Sequence, residues 1–241
     1  MMSNFPAEKF NKFSHWRRLA HSVLPQRCAL CTARADHQLL CPACTSTLPA
    51  LPAHCPQCAS PTPEGRRCGR CLAQPPAFVA TRCAFVYAYP LDGIVHALKY
   101  GGRAAYAEIF AHALAQMPGM RPDCLVPLPL AATRQRERGF NQATEIARHL
   151  ASHIGVPILR ALVRTRDTQA QAALPWHRRE ANVRGAFAAI ASLTGARVAL
   201  IDDVMTTGAT LDAAARAALA AGAATVEAWI GARTLPPDSI R

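Results

Sequence analysis

Eight of the ten cysteines form a repeat that constrains the N-terminal part of the chain more than any other feature. The pattern C-x2-C-x9-C-x2-C occurs twice, and each cysteine of the second copy lies 27 positions after its counterpart. The first group is Cys28, Cys31, Cys41 and Cys44, and the second group is Cys55, Cys58, Cys68 and Cys71. Two residues between cysteines form a tight turn that aims both sulfurs at one centre, and the longer loop brings a second pair round to complete a tetrahedron. The regularity predicts two copies of one small unit.

Zinc is the metal that this pattern favours. Four thiolates leave no open coordination position, so each group is predicted to hold a structural Zn²⁺ whose binding free energy contributes to folding. The segment 28–71 has little hydrophobic periodicity and cannot bury much of a core, so it needs a bound metal to hold it folded. Redox C-x-x-C pairs and an iron–sulfur site are the competing interpretations. The repeat favours ligand sets confined to each unit, although the spacing also permits interleaved sets.

The remaining cysteines and the histidines near the two groups have simpler interpretations. Cys83 and Cys124 lie in apolar, strand-like segments and are predicted to be buried thiols. His37 and His54 are not needed to complete either group, so we expect both to be surface residues.

The charge and hydropathy of the chain limit the classes of partner and the cell compartment that we expect for it. The formal net charge is +12, and eight thiolates on two Zn²⁺ ions would lower it to +8, which favours an acidic partner such as nucleic acid, a phosphorylated metabolite or an anionic membrane. The sequence lacks an apolar stretch of about 18 residues, and basic residues interrupt any signal-peptide core. We therefore expect a cytoplasmic protein without a membrane span, in which paired cysteines indicate metal rather than disulfides.

The chain divides into three predicted parts. Residues 1–25 form a basic segment with a short amphipathic helix from about Ser14, for which docking onto the neighbouring domain is favoured over a membrane or partner role. Residues 26–75 form a double zinc ribbon, and residues 80–241 form the larger domain. In that domain, strand candidates 83–89, 124–130, 197–202 and 225–231 alternate with helix candidates 103–116, 141–154 and 211–221. This pattern predicts an α/β fold with a mainly parallel sheet flanked by helices.

The run 198–210 carries the clearest binding signal. An apolar strand ends in Asp202 and Asp203, passes a hydroxyl-rich turn containing Gly208 and enters a helix, which is where free N–H groups and the helix dipole attract a phosphate. The two carboxylates would repel phosphate but suit the ribose 2′- and 3′-hydroxyls. A plain helix N-cap is the simpler alternative. The predicted ligand residues are Asp202, Asp203, Val204, Met205, Thr206, Thr207, Gly208, Ala209 and Thr210.

This run resembles the signature with which type I phosphoribosyltransferases bind phosphoribosyl pyrophosphate (PRPP). The resemblance implies that fold for the larger domain, with Mg²⁺ bridging the departing pyrophosphate to the ribose hydroxyls. Thr206 stands where members that act on 6-oxopurines carry an acid, which argues against that acceptor class. Candidates for pyrophosphate contact are Lys99 in segment 98–103 and Arg136 and Arg138 in segment 134–142, which we expect to be loops.

Taken together, these features are similar to the ComF family of competence-associated proteins, including its ComFC and GntX types. The resemblance covers nearly the whole chain from Cys28 and includes the segment 138–142, with sequence RGFNQ. It also implies a mobile active-site loop that carries Thr168, Gln171, Leu174, Arg179, Asn182, Val183 and Phe187. The family implies a role in natural transformation or in the use of imported DNA, with single-stranded DNA and competence-machinery proteins as partners.

Two functions are compatible with this resemblance. The first is an active phosphoribosyltransferase, a glycosyltransferase whose acceptor base and catalytic acid or base the sequence does not identify. The second is a non-catalytic single-stranded DNA-binding competence factor in which PRPP is regulatory or vestigial. Residues 1–75 and residues 76–241 each carry a net +6, and two zinc sites lower the first value to +2. If DNA binds, we therefore expect segment 134–138 to contribute as much as the ribbon.

Overall fold

The computed structural model describes residues 27–35, 39–166 and 185–235. Within the chain it separates two compact units, Met1–Thr47 and Leu48–Arg241. The division falls between the two cysteine groups, so the first group belongs to the smaller unit and the second to the larger. The predicted N-terminal segment 1–25 lies outside the described residues, as does His37.

The described part of the smaller unit is a cysteine-bearing turn followed by one short helix. An isolated bridge pairs Arg27 with Arg34, and the Ala29 amide donates to the Leu39 carbonyl at 2.8 Å. Helix α1 (Pro42–Ser46) begins directly after Cys41. Proline at the first helical position suits this start, because its missing N–H would have had no partner there.

The larger unit is built on a parallel sheet. Its strands are β1 (Ala80–Val86), β2 (Cys124–Pro127), β3 (Leu162–Arg164), β4 (Phe187–Ala189), β5 (Arg197–Met205) and β6 (Thr225–Arg233). Four of them form one sheet in the order β1-β6-β5-β2 with every pair parallel, while β3 and β4 form a separate antiparallel pair. The predicted α/β fold with a mainly parallel sheet is confirmed.

Helices cover both faces of this sheet. They are α2 (Gly69–Ala73), α3 (Leu91–Tyr100), α4 (Ala107–Ala115), α5 (Ala132–Arg138), α6 (Gln142–Ile154) and α7 (Ala209–Ala220). Helices α4 and α6 pack on each other and on the sheet, whereas α7 packs on β5 and β6 and on the β3–β4 pair. Among the described residues, no helix combines the length and the apolar character needed to cross a membrane.

The second cysteine group packs into the core of the larger unit. Cys55, Cys58 and Cys71 are at most 1% exposed and share one buried cluster with apolar residues of α7 and of the sheet. The Thr81 amide and hydroxyl donate to the Pro56 and Gln57 carbonyls, so this part of the ribbon is hydrogen-bonded to β1. The second ribbon and the sheet therefore share one hydrophobic core.

Three helices of the larger unit, α2, α3 and α5, are absent from the sequence-based expectations. Helix α3 buries four apolar residues at helical spacing, namely Leu91, Ile94, Val95 and Leu98. Helix α5 covers most of segment 134–142, for which the expectation of a loop is wrong. Gly139 ends α5 with a φ of 75°, a left-handed conformation that glycine adopts without steric cost. Strand β5 also runs three residues beyond its predicted end at Asp202.

Candidate functional site

Each cysteine group has the geometry of a four-thiolate zinc site. The four sulfurs of each group, Cys28, Cys31, Cys41 and Cys44 in one and Cys55, Cys58, Cys68 and Cys71 in the other, all lie within 4.8 Å of one another. The Sγ atoms are 3.7 Å apart between Cys31 and Cys41 and 3.6 Å apart between Cys58 and Cys68. Zn–S bonds of about 2.3 Å in a tetrahedron place sulfurs about 3.8 Å apart, so both groups fit structural zinc. Each set is confined to one repeat.

The two other cysteines belong to neither of these groups. Cys83 and Cys124 are each 2% exposed, in β1 and β2. Burial raises the pKa of Cys83 to about 12 and that of Cys124 to about 11, so both are thiols at neutral pH. Both sit in the buried positions that their apolar surroundings predicted.

The two predicted acids lie at the carboxyl end of β5, which is a central strand of the sheet. Asp202 Oδ1 accepts the Asp203 amide at 2.9 Å, and Asp203 Oδ1 accepts the Val204 amide at 2.6 Å. Both residues are partly exposed, unlike the four buried residues that precede them in the strand. In an open parallel sheet, ligands bind at the carboxyl ends of the strands, and these acids stand at that edge.

The carboxyl group of Asp202 titrates near neutral pH. Burial and, after it, the negative charge of Asp203 raise the pKa of Asp202 from 3.8 to about 7, while the positive charge of Lys99 opposes that shift. A carboxyl group with this pKa is an acceptor above pH 7 and a hydroxyl donor below it.

The turn after β5 leads directly into helix α7. Gly208 is the N-cap of α7 with a φ of 86°, and the Thr207 hydroxyl accepts the Ala209 amide at 3.2 Å. A Cβ on Gly208 would approach the methyl carbon of Met205 to 2.5 Å, so glycine also permits the close turn. The residues that were predicted to cradle a phosphate therefore span a strand end, a glycine turn and a helix N-terminus.

Lys99 lies at this strand end rather than in a separate loop. It belongs to the last turn of α3, and its Nζ atom is 3.2 Å from Asp203 Oδ2. The side chains are 21% and 12% exposed, so the ion pair is largely shielded from solvent. The first basic segment of the sequence thus meets the acidic pair directly.

The second basic segment meets the first through Arg138. Its guanidinium lies over the Tyr100 ring at 5.2 Å and donates to Gln142 Oε1 at 3.0 Å. Asn141 caps α6 by accepting the Ala143 amide and donates to the Leu128 carbonyl at 2.8 Å, which ties the segment to the loop after β2. Three segments that are distant in sequence, 98–103, 134–142 and 202–210, therefore converge.

Arg136 has a different setting from its neighbour. It lies on the same short helix α5, but its side chain is exposed, and it makes no hydrogen bond or ion pair within the described ranges. The structure brings Arg138 to Tyr100 and leaves Arg136 on the surface.

Two arginines at this site were not anticipated from the sequence. Arg233, at the end of β6, is completely buried and donates to the Met205 and Thr206 carbonyls. Arg70, in α2 of the second ribbon, donates to the Thr207 carbonyl at 2.9 Å. The sequence contained an indication for Arg233, because this charged residue directly follows the apolar run 228–232. No local pattern pointed to Arg70.

The residues of the predicted mobile loop lie almost entirely outside the described part of the chain. This holds for Thr168, Gln171 and Arg179, and it also holds for Leu174, Asn182 and Val183. Phe187 is described in β4, where the Arg164 guanidinium lies 5.5 Å from the centre of its ring.

Two family models match the chain. One describes a double zinc ribbon domain and matches residues 19–72, and the other describes a phosphoribosyl transferase domain and matches residues 136–232. The first covers both cysteine groups, and the second covers the strand, turn and helix that carry the acidic pair. The predicted combination of ribbon and phosphoribosyltransferase fold is therefore confirmed.

Relatives match over most of their length. The DNA utilization protein YhgH of Salmonella typhimurium is 33% identical over 225 residues, which are 88% of this chain and 99% of that protein. Competence protein F of Haemophilus influenzae is 30% identical over 79% of this chain and 88% of its own length. Competence protein ComFC of Bacillus subtilis is 28% identical over 81% of this chain and 84% of its own length.

Proposed function

This chain belongs to the ComF family, with the DNA utilization protein YhgH and Competence protein F among its relatives, and we propose that it binds PRPP at the carboxyl end of β5. The names of these relatives support a role in DNA utilization or competence. PRPP would be a substrate if the chain is a phosphoribosyltransferase, and a regulator if it is a DNA-binding competence factor.

One observation carries the proposal. Asp202 and Asp203 lie among the last four residues of β5, the glycine turn that opens α7 follows this strand, and Lys99 reaches Asp203 from a different helix. The helix N-terminus and the hydroxyl-rich turn suit a 5′-phosphate, and the acids suit the ribose hydroxyls of the same ligand. A cation beside the acids supplies charge for the pyrophosphate group at the other end of the sugar. This order of phosphate, ribose and pyrophosphate matches the chemistry of PRPP.

The carboxylates also fit the metal that accompanies this ligand. Carboxylate oxygens are hard donors of the kind that Mg²⁺ prefers, and bound Mg²⁺ would neutralise charge on the leaving pyrophosphate. Asp202 and Asp203 would orient the ribose, and Lys99 would exchange its contact with Asp203 for one with the anionic ligand. In a transferase, C1 of the ribose loses pyrophosphate while a nitrogen nucleophile attacks. Arg138 lies next to Tyr100 at the edge of this site and is our candidate for a further phosphate contact.

The experiment is a calorimetric titration of PRPP with Mg²⁺ into the full chain, together with an assay of pyrophosphate release over a panel of nitrogen bases. The test variant combines Asp202→Asn and Asp203→Asn, which removes both negative charges with little change in volume. We expect binding by the wild type and a loss of at least tenfold in the variant. Absence of binding by the wild type would overturn the proposal.

The matched control is Asp123→Asn. Asp123 accepts the Arg197 side chain at 2.8 Å at the amino end of β5, so it lies on the same strand pair but at the opposite edge of the sheet. Its substitution tests whether loss of any surface acid weakens PRPP binding. We expect wild-type affinity in this control.

The same titration separates the two functions. Pyrophosphate release with one base would establish a phosphoribosyltransferase and identify its acceptor. Binding of PRPP without release over the whole panel would favour the second function, a single-stranded DNA-binding competence factor that PRPP regulates. One structural observation supports that second candidate: α5 has no buried residue, carries three arginines and lies beside Tyr100, which is 65% exposed. Cations beside an exposed aromatic ring suit a nucleic-acid strand.

A further inference from the structure

Arg233 joins the second cysteine group to residues 205–208, the proposed phosphate-binding turn between β5 and α7. Its Nε atom donates to the Cys58 carbonyl at 3.1 Å, and one terminal nitrogen donates to the Ser60 hydroxyl at 3.1 Å. The other terminal nitrogen donates to the carbonyls of Met205 and Thr206. One buried guanidinium thus connects the turn of the ribbon that contains Cys58 to the end of β5.

Arg70 makes a second connection between the same two segments. It lies between Cys68 and Cys71 in the sequence, and its guanidinium donates to the Thr207 carbonyl at 2.9 Å. The two arginines therefore donate hydrogen bonds to three successive carbonyls, those of residues 205, 206 and 207.

These contacts determine which way the peptide groups of the turn face. In a planar trans peptide, the N–H of the next residue points away from the carbonyl oxygen. Arginines that hold the carbonyls of residues 206 and 207 therefore turn the N–H groups of Thr207 and Gly208 to the other side. Successive N–H groups that share one side make an anion-binding concavity.

The second cysteine group also supplies negative charge close to Arg233. No carboxylate of the described ranges forms an ion pair with Arg233, although its side chain is completely buried. A buried cation without a counter-charge is costly. Four thiolates on one Zn²⁺ carry a net charge of −2, and this group contacts Arg233 through the turn at Cys58.

We propose that Arg70 and Arg233 are positioning residues through which the zinc-loaded second cysteine group orients the phosphate-binding turn at residues 205–208. Zinc in this group then determines PRPP affinity as well as folding. The inference rests on the proposed PRPP site, but the orientation of the turn is measurable without PRPP.

The first test uses Arg70→Ala, because Arg70 is exposed enough for its loss to leave the core intact. The control is Arg66→Ala in the same ribbon, where the arginine pairs with Glu64 instead of the turn. Hydrogen exchange of the peptide that covers residues 203–210 is followed by mass spectrometry without ligand, and PRPP binding is followed by calorimetry. We expect at least tenfold faster exchange at this peptide and roughly tenfold weaker PRPP binding in Arg70→Ala only.

The second test changes the metal sites. Cys68→Ser removes a ligand of the second group, and Cys44→Ser removes a ligand of the first group, which belongs to the other compact unit. Each variant should lose one zinc by elemental analysis, and Cys68→Ser should weaken PRPP binding at least tenfold more than Cys44→Ser. If Cys68→Ser fails to fold, Arg70→Ala decides the question.

The outcomes distinguish this inference from the proposed function. Unchanged exchange in Arg70→Ala together with PRPP binding within twofold of the wild type would overturn the inference and leave the PRPP site standing. Absence of PRPP binding by the wild type would overturn the proposed function, and the exchange experiment would then decide alone whether Arg70 orients the turn.

Discussion

The Nζ atom of Lys99 lies 3.2 Å from Oδ2 of Asp203. This contact joins the last turn of α3 to the carboxyl end of β5, two segments separated by about one hundred residues of sequence. It makes Lys99 part of the electrostatic environment of both acids, since its positive charge also lowers the pKa of Asp202.

Replacement of Lys99 should weaken PRPP binding. In Lys99→Met the apolar stem is retained and the charge is lost, so the variant lacks both the cation for pyrophosphate and the charge that favours ionised Asp202. We expect roughly tenfold weaker binding of PRPP with Mg²⁺ at pH 7.5 by calorimetry. Lys99→Arg keeps the charge and should recover most of the affinity. Wild-type affinity in Lys99→Met would remove Lys99 from the site.

Ionisation of Asp202 should destabilise the fold above neutral pH. Its folded-state pKa is about 7 and its ordinary value is 3.8, so the folded state retains a proton that the unfolded state has lost between these values. The stability contributed by that proton falls as pH rises from 4 through 7. Asp202→Asn should therefore have a higher Tm than the wild type by a few degrees at pH 8, and the difference should shrink towards pH 5. A pH-independent difference in calorimetric scans would contradict the shifted pKa.

The arginines of α5 should set the salt dependence of DNA binding if the chain binds single strands. Each lost phosphate contact lowers the slope of log K against log salt by about 0.7 for single-stranded DNA. The double variant Arg136→Ala, Arg138→Ala should therefore reduce the slope measured by fluorescence anisotropy by about 1.4. Arg216→Ala, which removes an exposed arginine paired with Asp212 on α7, is the control and should leave the slope unchanged. An unchanged slope in the double variant would exclude α5 as a DNA contact.

The buried ion pair between Arg82 and Glu227, at the opposite edge of the sheet from Asp203, should contribute to the stability of the fold and not to PRPP binding. Arg82 Nε lies 3.3 Å from Glu227 Oε2, which also accepts the Trp229 indole N–H at 2.8 Å. Glu227→Met leaves the guanidinium without its anion, and we expect a loss of about 3 kcal/mol in the free energy of unfolding by urea. The double variant with Arg82→Met should lose less than the sum of the single variants. Additive losses would show that the two side chains do not interact.

The number of bound zinc ions should depend on the two cysteine groups and not on the buried thiols Cys83 and Cys124. The purified chain should contain two zinc ions by elemental analysis, because both groups have tetrahedral spacing. Cys83→Ala should retain both, since the pKa of Cys83 is raised to about 12 and its side chain belongs to the core. A loss of zinc in Cys83→Ala, or a single zinc in the wild type, would contradict this assignment.

Much of the architecture could be predicted from local sequence. The spacing of the cysteines predicts two tetrahedral ligand sets, because a C-x-x-C turn leaves its sulfurs little freedom, but it does not exclude interleaved sets. The apolar run before Asp202 followed by a glycine turn marks a strand end and a helix start. Helix α3 could also have been found, since Leu91, Ile94, Val95 and Leu98 have helical spacing. The arginine-rich segment 134–142 was wrongly expected to be a loop. Helix α5 has no buried residue, so the sequence lacks the apolar periodicity that identifies a helix.

Only the tertiary structure shows which of these elements contact one another. It divides the two cysteine groups between two compact units, although the repeat is nearly symmetrical in sequence. It places Arg70 and Arg233 on three successive carbonyls of the turn at residues 205–208 and places Lys99 on Asp203. Local pattern encodes the periodicity and turn chemistry of single elements. The contacts of Lys99 with Asp203 and of Arg70 with Thr207 join residues more than a hundred positions apart. Such contacts depend on strand order and burial, which no local spacing records.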